Sequence, residues 1–318
     1  MRKMLSTAFV VLVFSCVLSS CQARRPAAET VVAETYVHSY GVPLPQEEGK
    51  ERGENGRIVT LRQDGVEVTK TYVRGILHGE CSYTFPHKST MAKKEYYRQG
   101  ELSQITDFYT SGMPKQQVTY QGDTLLITRW YESGAPQAKE EVLGDLVQNG
   151  KYLDLSQEIE VEVVQGEGKR VRRDGYGLLE SIDQISEGAM ILSTTYHPNG
   201  IPAAITPYVQ TVVEGQRKTF SPAGEPLSIE TWVRGKQHGI TFIFENGAKV
   251  SEMPYVQGKK QGVEKRYRDE TQLVQEVSWV NNQRHGPTYS YLGGTTQITW
   301  YFRDQEVSKA AYDALSNQ

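Results

Sequence analysis

Tyr72-Val73-Arg74-Gly75-Ile76-Leu77-His78-Gly79 decides the fold, because the chain repeats it. It returns as Trp232-Val233-Arg234-Gly235-Lys236-Gln237-His238-Gly239 and as Tyr255-Val256-Gln257-Gly258-Lys259-Lys260-Gln261-Gly262. A fourth copy is Trp279-Val280-Asn281-Asn282-Gln283-Arg284-His285-Gly286. Asn282 replaces the first glycine, and Asn is the next-best residue for a left-handed backbone. A second segment alternates with the first: an aromatic, then Gly, then often Pro. Examples are Tyr109-Thr110-Ser111-Gly112-Met113-Pro114 and Tyr131-Glu132-Ser133-Gly134-Ala135-Pro136. Further copies surround Gly200, Gly224 and Gly247. Gly239, Gly262 and Gly286 step by 23 and 24, while Gly79, Gly100, Gly122 and Gly144 step by 21, 22 and 22.

A fixed period of this size with two turns in it means two strands per repeat. Each strand then has about six residues, the usual length. A helix of ten residues has no room between the glycines. The unit is a β-hairpin, and the array is an all-β, elongated antiparallel meander. The Tyr/Trp-x-x-Gly-x-x-x-Gly hairpins resemble MORN-type repeats of the bacterial YwqK type over 57–144 and 190–302, and more weakly over 145–189. The resemblance implies an elongated single-layer sheet with aromatics along one face and no catalytic residues. The family's antitoxin label gives a further alternative, an antitoxin-like immunity protein, which would meet its toxin in the cytoplasm.

Composition agrees with an array. The chain has 318 residues, 38% hydrophobic and 23% charged, with 29 Gly and 19 Tyr. That is too polar for a polytopic membrane protein and too aromatic for a disordered chain. Formal net charge is −3, so no basic excess argues for nucleic acid as a partner.

The N-terminus reads as an address. Arg2 and Lys3 precede an apolar run from Leu5 to Leu18, too short to span a bilayer as a helix and suited to a secretory signal. Leu18-Ser19-Ser20-Cys21 follows and resembles the bacterial lipobox. The resemblance implies cleavage between Ser20 and Cys21, with S-diacylglycerol and N-palmitoyl groups on Cys21. Several acyl chains pass the threshold for stable anchoring, at roughly 0.8 kcal/mol per buried CH₂. Gln22 in place of Asp slightly favours the outer membrane. Cys16 leaves with the signal, and Cys81 then has no intramolecular disulfide partner. The expected organisation is signal 1–20, flexible tether 21–56, repeat array 57–302 with an irregular insertion at 145–189, and a capping helix with tail at 303–318.

Within the insertion, Glu158 to Val163 alternates strictly, and Lys169-Arg170-Val171-Arg172-Arg173 follows Gly166-Glu167-Gly168. A three-residue loop would place Glu162 opposite Arg172 and Val163 opposite Val171, with Gly168 left-handed, so that register is expected. At the end of the chain, Val307, Ala311 and Leu315 lie four apart, and Asp304 is the expected helix cap.

Candidate sites are few. His78, His238 and His285 share a repeat position, but equivalent residues of stacked hairpins stand about 10 Å apart. A single zinc ion with ~2.1 Å bonds cannot join them. They read as turn-stabilising side chains, and neither metal nor cofactor is expected. The basic strand residues Lys169, Arg170, Arg172 and Arg173, and the aromatics Trp232 and Trp279, are the binding candidates. No catalytic motif occurs. The expected protein is a membrane-anchored lipoprotein, not an enzyme, that acts as a binding or scaffolding platform in the cell envelope. Its partners are the membrane, through the lipid anchor, and an envelope protein. The alternative is an envelope enzyme or glycan- or lipid-binding protein that uses 145–189.

Overall fold

The computed structural model describes residues 30–45, 47–49 and 54–317. The proposed signal and Cys21 lie outside them. The chain is a 29-stranded open antiparallel sheet that ends in one short helix, Lys309–Ser316. Strands pair with their neighbours in the chain, from Val31–His38 on Gly56–Arg62 to Thr295–Phe302 on Gln305–Val307.

The structure explains the Gly-x-x-x-Gly motif. Arg74 and Gly75 form a two-residue hairpin turn with φ of 52° and 71°, both positive as a type I′ turn requires. Arg234-Gly235, Gln257-Gly258 and Asn281-Asn282 do the same. The second glycine has another task. Tyr72 pairs with Leu77, but Thr69 pairs with Ser82, so the return strand carries two extra residues around His78-Gly79. This is a β-bulge, and Gly79 turns it with a φ of 86°. Two extra residues preserve the alternation of side chains, so the strand keeps its face.

Turns stack from one hairpin to the next. Gly75 N–H donates to Glu54 O, Gly100 N–H to Leu77 O, and Gly258 N–H to Gln237 O, all at 2.8 Å. Side chains at the bulge add to this. Gln99 N–H donates to His78 Nδ1 at 3.3 Å, and Asn281 N–H donates to Gln261 Oε1 at 3.1 Å. On the opposite edge, Tyr109 and Tyr131 hydroxyls donate to Trp130 O and Leu153 O at 2.9 and 2.8 Å. Each turn thus satisfies backbone groups of its neighbour that would otherwise face water.

Several expectations are corrected. The flexible tether does not extend to residue 56, because Val31–His38 is a strand paired with Gly56–Arg62, and Pro43–Leu44 folds back on it. Its β-branched and aromatic residues suit a pleated strand, and pairing satisfies the backbone. Among the described residues, the array therefore begins at Val31. Segment 145–189 is no insertion, since Leu146–Leu153, Ile159–Val164, Glu167–Arg173 and Leu179–Ser186 pair in unbroken sequence. The expected register inside it is wrong. Val163 pairs with Gly168 and Val164 with Glu167 across a two-residue Gln165-Gly166 turn, with φ of 52° and 80°. Charges are met by other neighbours: Glu162 by Lys151 on the preceding strand at 3.6 Å, and Arg172 by Asp183 on the following one at 3.7 Å. Gly168 does take a positive φ, 141°, where a Cβ would strike the Glu162 carbonyl oxygen.

The C-terminal helix is capped by Ser308, whose hydroxyl accepts from Ala311 N–H at 3.2 Å. Asp304 sits instead in the preceding turn and accepts from Arg284 N–H at 2.9 Å. Helical Tyr312 packs its ring on Trp300, 4.9 Å between centroids, and on His285 at 5.4 Å. The helix thus covers the last hairpin, where an open sheet needs protection.

The apolar core is small and central. Ala138, Val142, Val147, Tyr152, Val163, Val171 and Ile185 form one buried cluster. All of them come from 138–185. Cys81, fully buried near the other end, has its thiol pushed up by burial, which makes it inert.

Candidate functional site

The sheet curls in its middle until distant strands touch. Gln137 Nε2 donates to Arg173 O at 3.0 Å and to Asp174 O at 3.1 Å. Glu132 N–H donates to Gly175 O at 2.8 Å. Gly175 is required here, since a Cβ would meet the Tyr109 ring at 2.8 Å. These contacts join residues 36 and 37 positions apart at Gln137, well beyond one repeat.

A buried ion network fills the curl. Glu140, with a side chain 2% exposed, takes Arg129 Nη1 at 2.9 Å and the Tyr152 hydroxyl at 2.8 Å. Asp183, equally buried, takes Arg170 Nη2 at 2.8 Å and the Ser193 hydroxyl at 2.6 Å. Burial alone would raise the Glu140 pKa, but the charges of Arg129 and Arg170 outweigh it and hold the carboxyl below the usual range. Burial, then the Glu140 charge, pushes the Tyr152 phenol far up. Each carboxylate thus sits against an arginine, Glu140 on Arg129 and Asp183 on Arg170.

Beside this network opens a cleft of about 250 Å³. Its wall carries four cations, Lys115, Arg129, Arg172 and Arg173, and two carboxylates, Asp174 and Glu180. Most are committed. Arg129 also donates to Gln116 Oε1 at 3.0 Å. Arg173 grips Glu160 through Nε and Nη2 at 3.1 and 2.7 Å. Asp174 Oδ1 accepts from the N–H groups of Tyr176 and Leu178 at 2.9 and 2.8 Å, and so shapes its own loop.

Arg172 is not so committed, and neither Lys115 nor Glu180 makes an ion pair among the described residues. The contact of Arg172 is Asp183 Oδ2 at 3.7 Å, an oxygen that Arg170 already occupies. Its side chain lines the cleft and is 43% exposed. Burial is the first cause that pushes its pKa down, and the neighbouring charges of Arg170 and Arg129 follow.

The other binding candidates lie elsewhere. Lys169 is exposed and pairs across from Gln184. Trp232 and Trp279 are half-buried, and their indole N–H groups donate to Glu230 at 2.8 Å and Glu264 at 3.0 Å. Neither lines the cleft. Sequence reasoning overlooked Tyr109, Lys115 and Arg129, which reach the cleft only through the curl. Among the described residues, no cluster of three metal-ligating side chains occurs.

No protein-family model matches the chain, and no curated protein does. Among solved structures, a porin-like protein from Bacteroides uniformis aligns over 86% of this chain and 91% of its own, at 12% identity and a TM-score of 0.15. A superposition that loose does not relate the two sheets.

Proposed function

We propose that this chain is a membrane-anchored bacterial lipoprotein that serves as a non-catalytic binding platform in the cell envelope. The apolar run ending in Leu18-Ser19-Ser20-Cys21 supports the anchor. The repeat array supports the platform, since stacked hairpins give extended surface at little cost in core.

One observation carries the binding role: the cleft at the curl, where the otherwise regular array offers a concave charged site. Its buried chemistry suits binding. Glu140 is held ionised, the state of a counter-ion rather than of a general acid. The rigid arginine–carboxylate pairs fix the wall in place.

The test is photo-crosslinking in intact cells. A photoreactive residue replaces Tyr176, 77% exposed on the cleft loop, and in a control replaces Tyr40, 87% exposed on the first hairpin. The proposal expects an adduct of defined mass from position 176 and none from position 40, both in the membrane fraction. No adduct at 176, or equal labelling at both, contradicts it.

A further inference from the structure

We propose that the cleft is a site for an oxyanion, a carboxylate or phosphate group carried by a small molecule, held by the Arg172 guanidinium with Lys115 opposite. The inference rests on the binding-platform reading and names the chemistry that the platform takes.

Hydrogen-bond accounting carries it. Arg172 has five N–H donors in a planar fork. Among the described residues its guanidinium makes no hydrogen bond, and its one carboxylate contact is 3.7 Å long. Every other arginine of the network is satisfied: Arg129 by Glu140 and Gln116, Arg170 by Asp183, and Arg173 by Glu160. A guanidinium that lines a cleft with its donors free is open to an external acceptor. The carboxylates that might have served it are taken. Asp183 Oδ1 receives the Ser193 hydroxyl, and Oδ2 receives Arg170.

The cleft provides the rest. Lys115 lines it, with its ammonium over the Tyr109 ring, 5.7 Å from the centroid, and within reach of the Asp107 charge. Arg129 and Arg173 add positive potential without free geometry. Tyr109 and Val171 supply an apolar shoulder for the remainder of the ligand. About 250 Å³ admits a small molecule and not a folded partner. A planar carboxylate or a phosphate face matches the guanidinium fork.

The test titrates the purified full-length protein at pH 7 and constant ionic strength with inorganic phosphate, with acetate, and with chloride. Calorimetry and the thermal midpoint are followed. Saturable binding of phosphate or acetate, absent with chloride, is expected, and the anion that binds identifies the group. R172Q should weaken binding at least tenfold, K115Q should weaken it severalfold, and K169Q, an exposed cation outside the cleft, should leave it unchanged. If R172Q does not fold, R172K replaces it, with weakened binding expected because the fork is lost. No saturable response, the same response to chloride, or wild-type affinity in R172Q overturns the inference. If anions fail to bind while position 176 still crosslinks, the platform stands without the oxyanion site. If they bind but position 176 captures nothing, the oxyanion site stands and the platform fails.

Discussion

Gln137 holds the main-chain carbonyl of Arg173 at 3.0 Å, across 36 residues of chain. Neighbouring hairpins account for almost every other tie in the sheet, and this one fastens the curl. Replacing Gln137 with Ala leaves the Arg173 and Asp174 carbonyls without it. The expected loss is about 1–3 kcal/mol. Urea denaturation reads the stability. Hydrogen exchange should show faster opening at Glu132 and through 173–178, with the turns near Gly258 unchanged. Uniform acceleration along the array would contradict a local fastening.

Glu140 neutralises a site crowded by Arg129, Arg170 and Arg172. Glu140→Ala should cost about 3–5 kcal/mol, because a buried guanidinium is left unpaired. The double variant Arg129→Leu with Glu140→Leu should cost less than Glu140→Ala alone. Chemical denaturation of the three proteins decides it. A double variant no more stable than Glu140→Ala would mean that the pair is not coupled.

Stability should fall at both ends of the pH scale. Burial raises the carboxyls of Glu95, Glu140 and Glu264, but Lys93 with Tyr83, Arg129, and Arg266 respectively outweigh it, so all three lie below the ordinary 4.5. Such groups bind protons more readily when unfolded, so their contribution is complete above pH 4.5 and lost as pH falls below it. Burial, then the Glu95 charge, pushes the Tyr97 phenol up from 10.0 to about 12. Its contribution is complete below pH 10 and lost as pH rises towards 12. Urea midpoints from pH 2 to 12 should show a plateau between these limits. An unchanged acid limb in Glu140→Gln would count against this assignment.

Asn282 stands at φ 71° in its turn, and its side-chain oxygen accepts from Lys260 N–H at 2.7 Å. Asn282→Gly keeps the backbone free but removes that bond. Asn282→Ala removes the bond and adds about 1–2 kcal/mol of left-handed strain. Thermal melting should rank the wild type above Gly and Gly above Ala. Equal midpoints for the two variants would show that conformation does not limit this turn.

The repeats made the sheet legible, because turn glycines recur where φ must be positive. The same signal ran further than it was followed. Gly144, Gly166 and Gly188 continue the step of 22 straight through 145–189, and all three have positive φ. Likewise Tyr208-Val209-Gln210-Thr211-Val212-Val213-Glu214-Gly215 is another turn and bulge, hidden because Thr211 takes φ 68° in place of glycine. The curl was not legible. Strand patterns specify which neighbours pair, whereas Gln137 meeting Arg173 depends on how curvature accumulates over several hairpins. For the same reason the basic run at 169–173 was visible but its partners were not. Opposite charges suggested pairing within one hairpin, yet a strand has two neighbours, and Glu162 and Arg172 each found a partner on the outer side.

The central claim is an exported platform tethered by lipid, and the intact mass of the protein purified from membranes tests it most directly. The account predicts a chain that begins at Cys21 and carries diacylglycerol and acyl groups, with the Cys21→Ala variant released from the membrane fraction. A chain that retains residues 1–20, or begins near Cys21 without lipid and remains soluble, would contradict it.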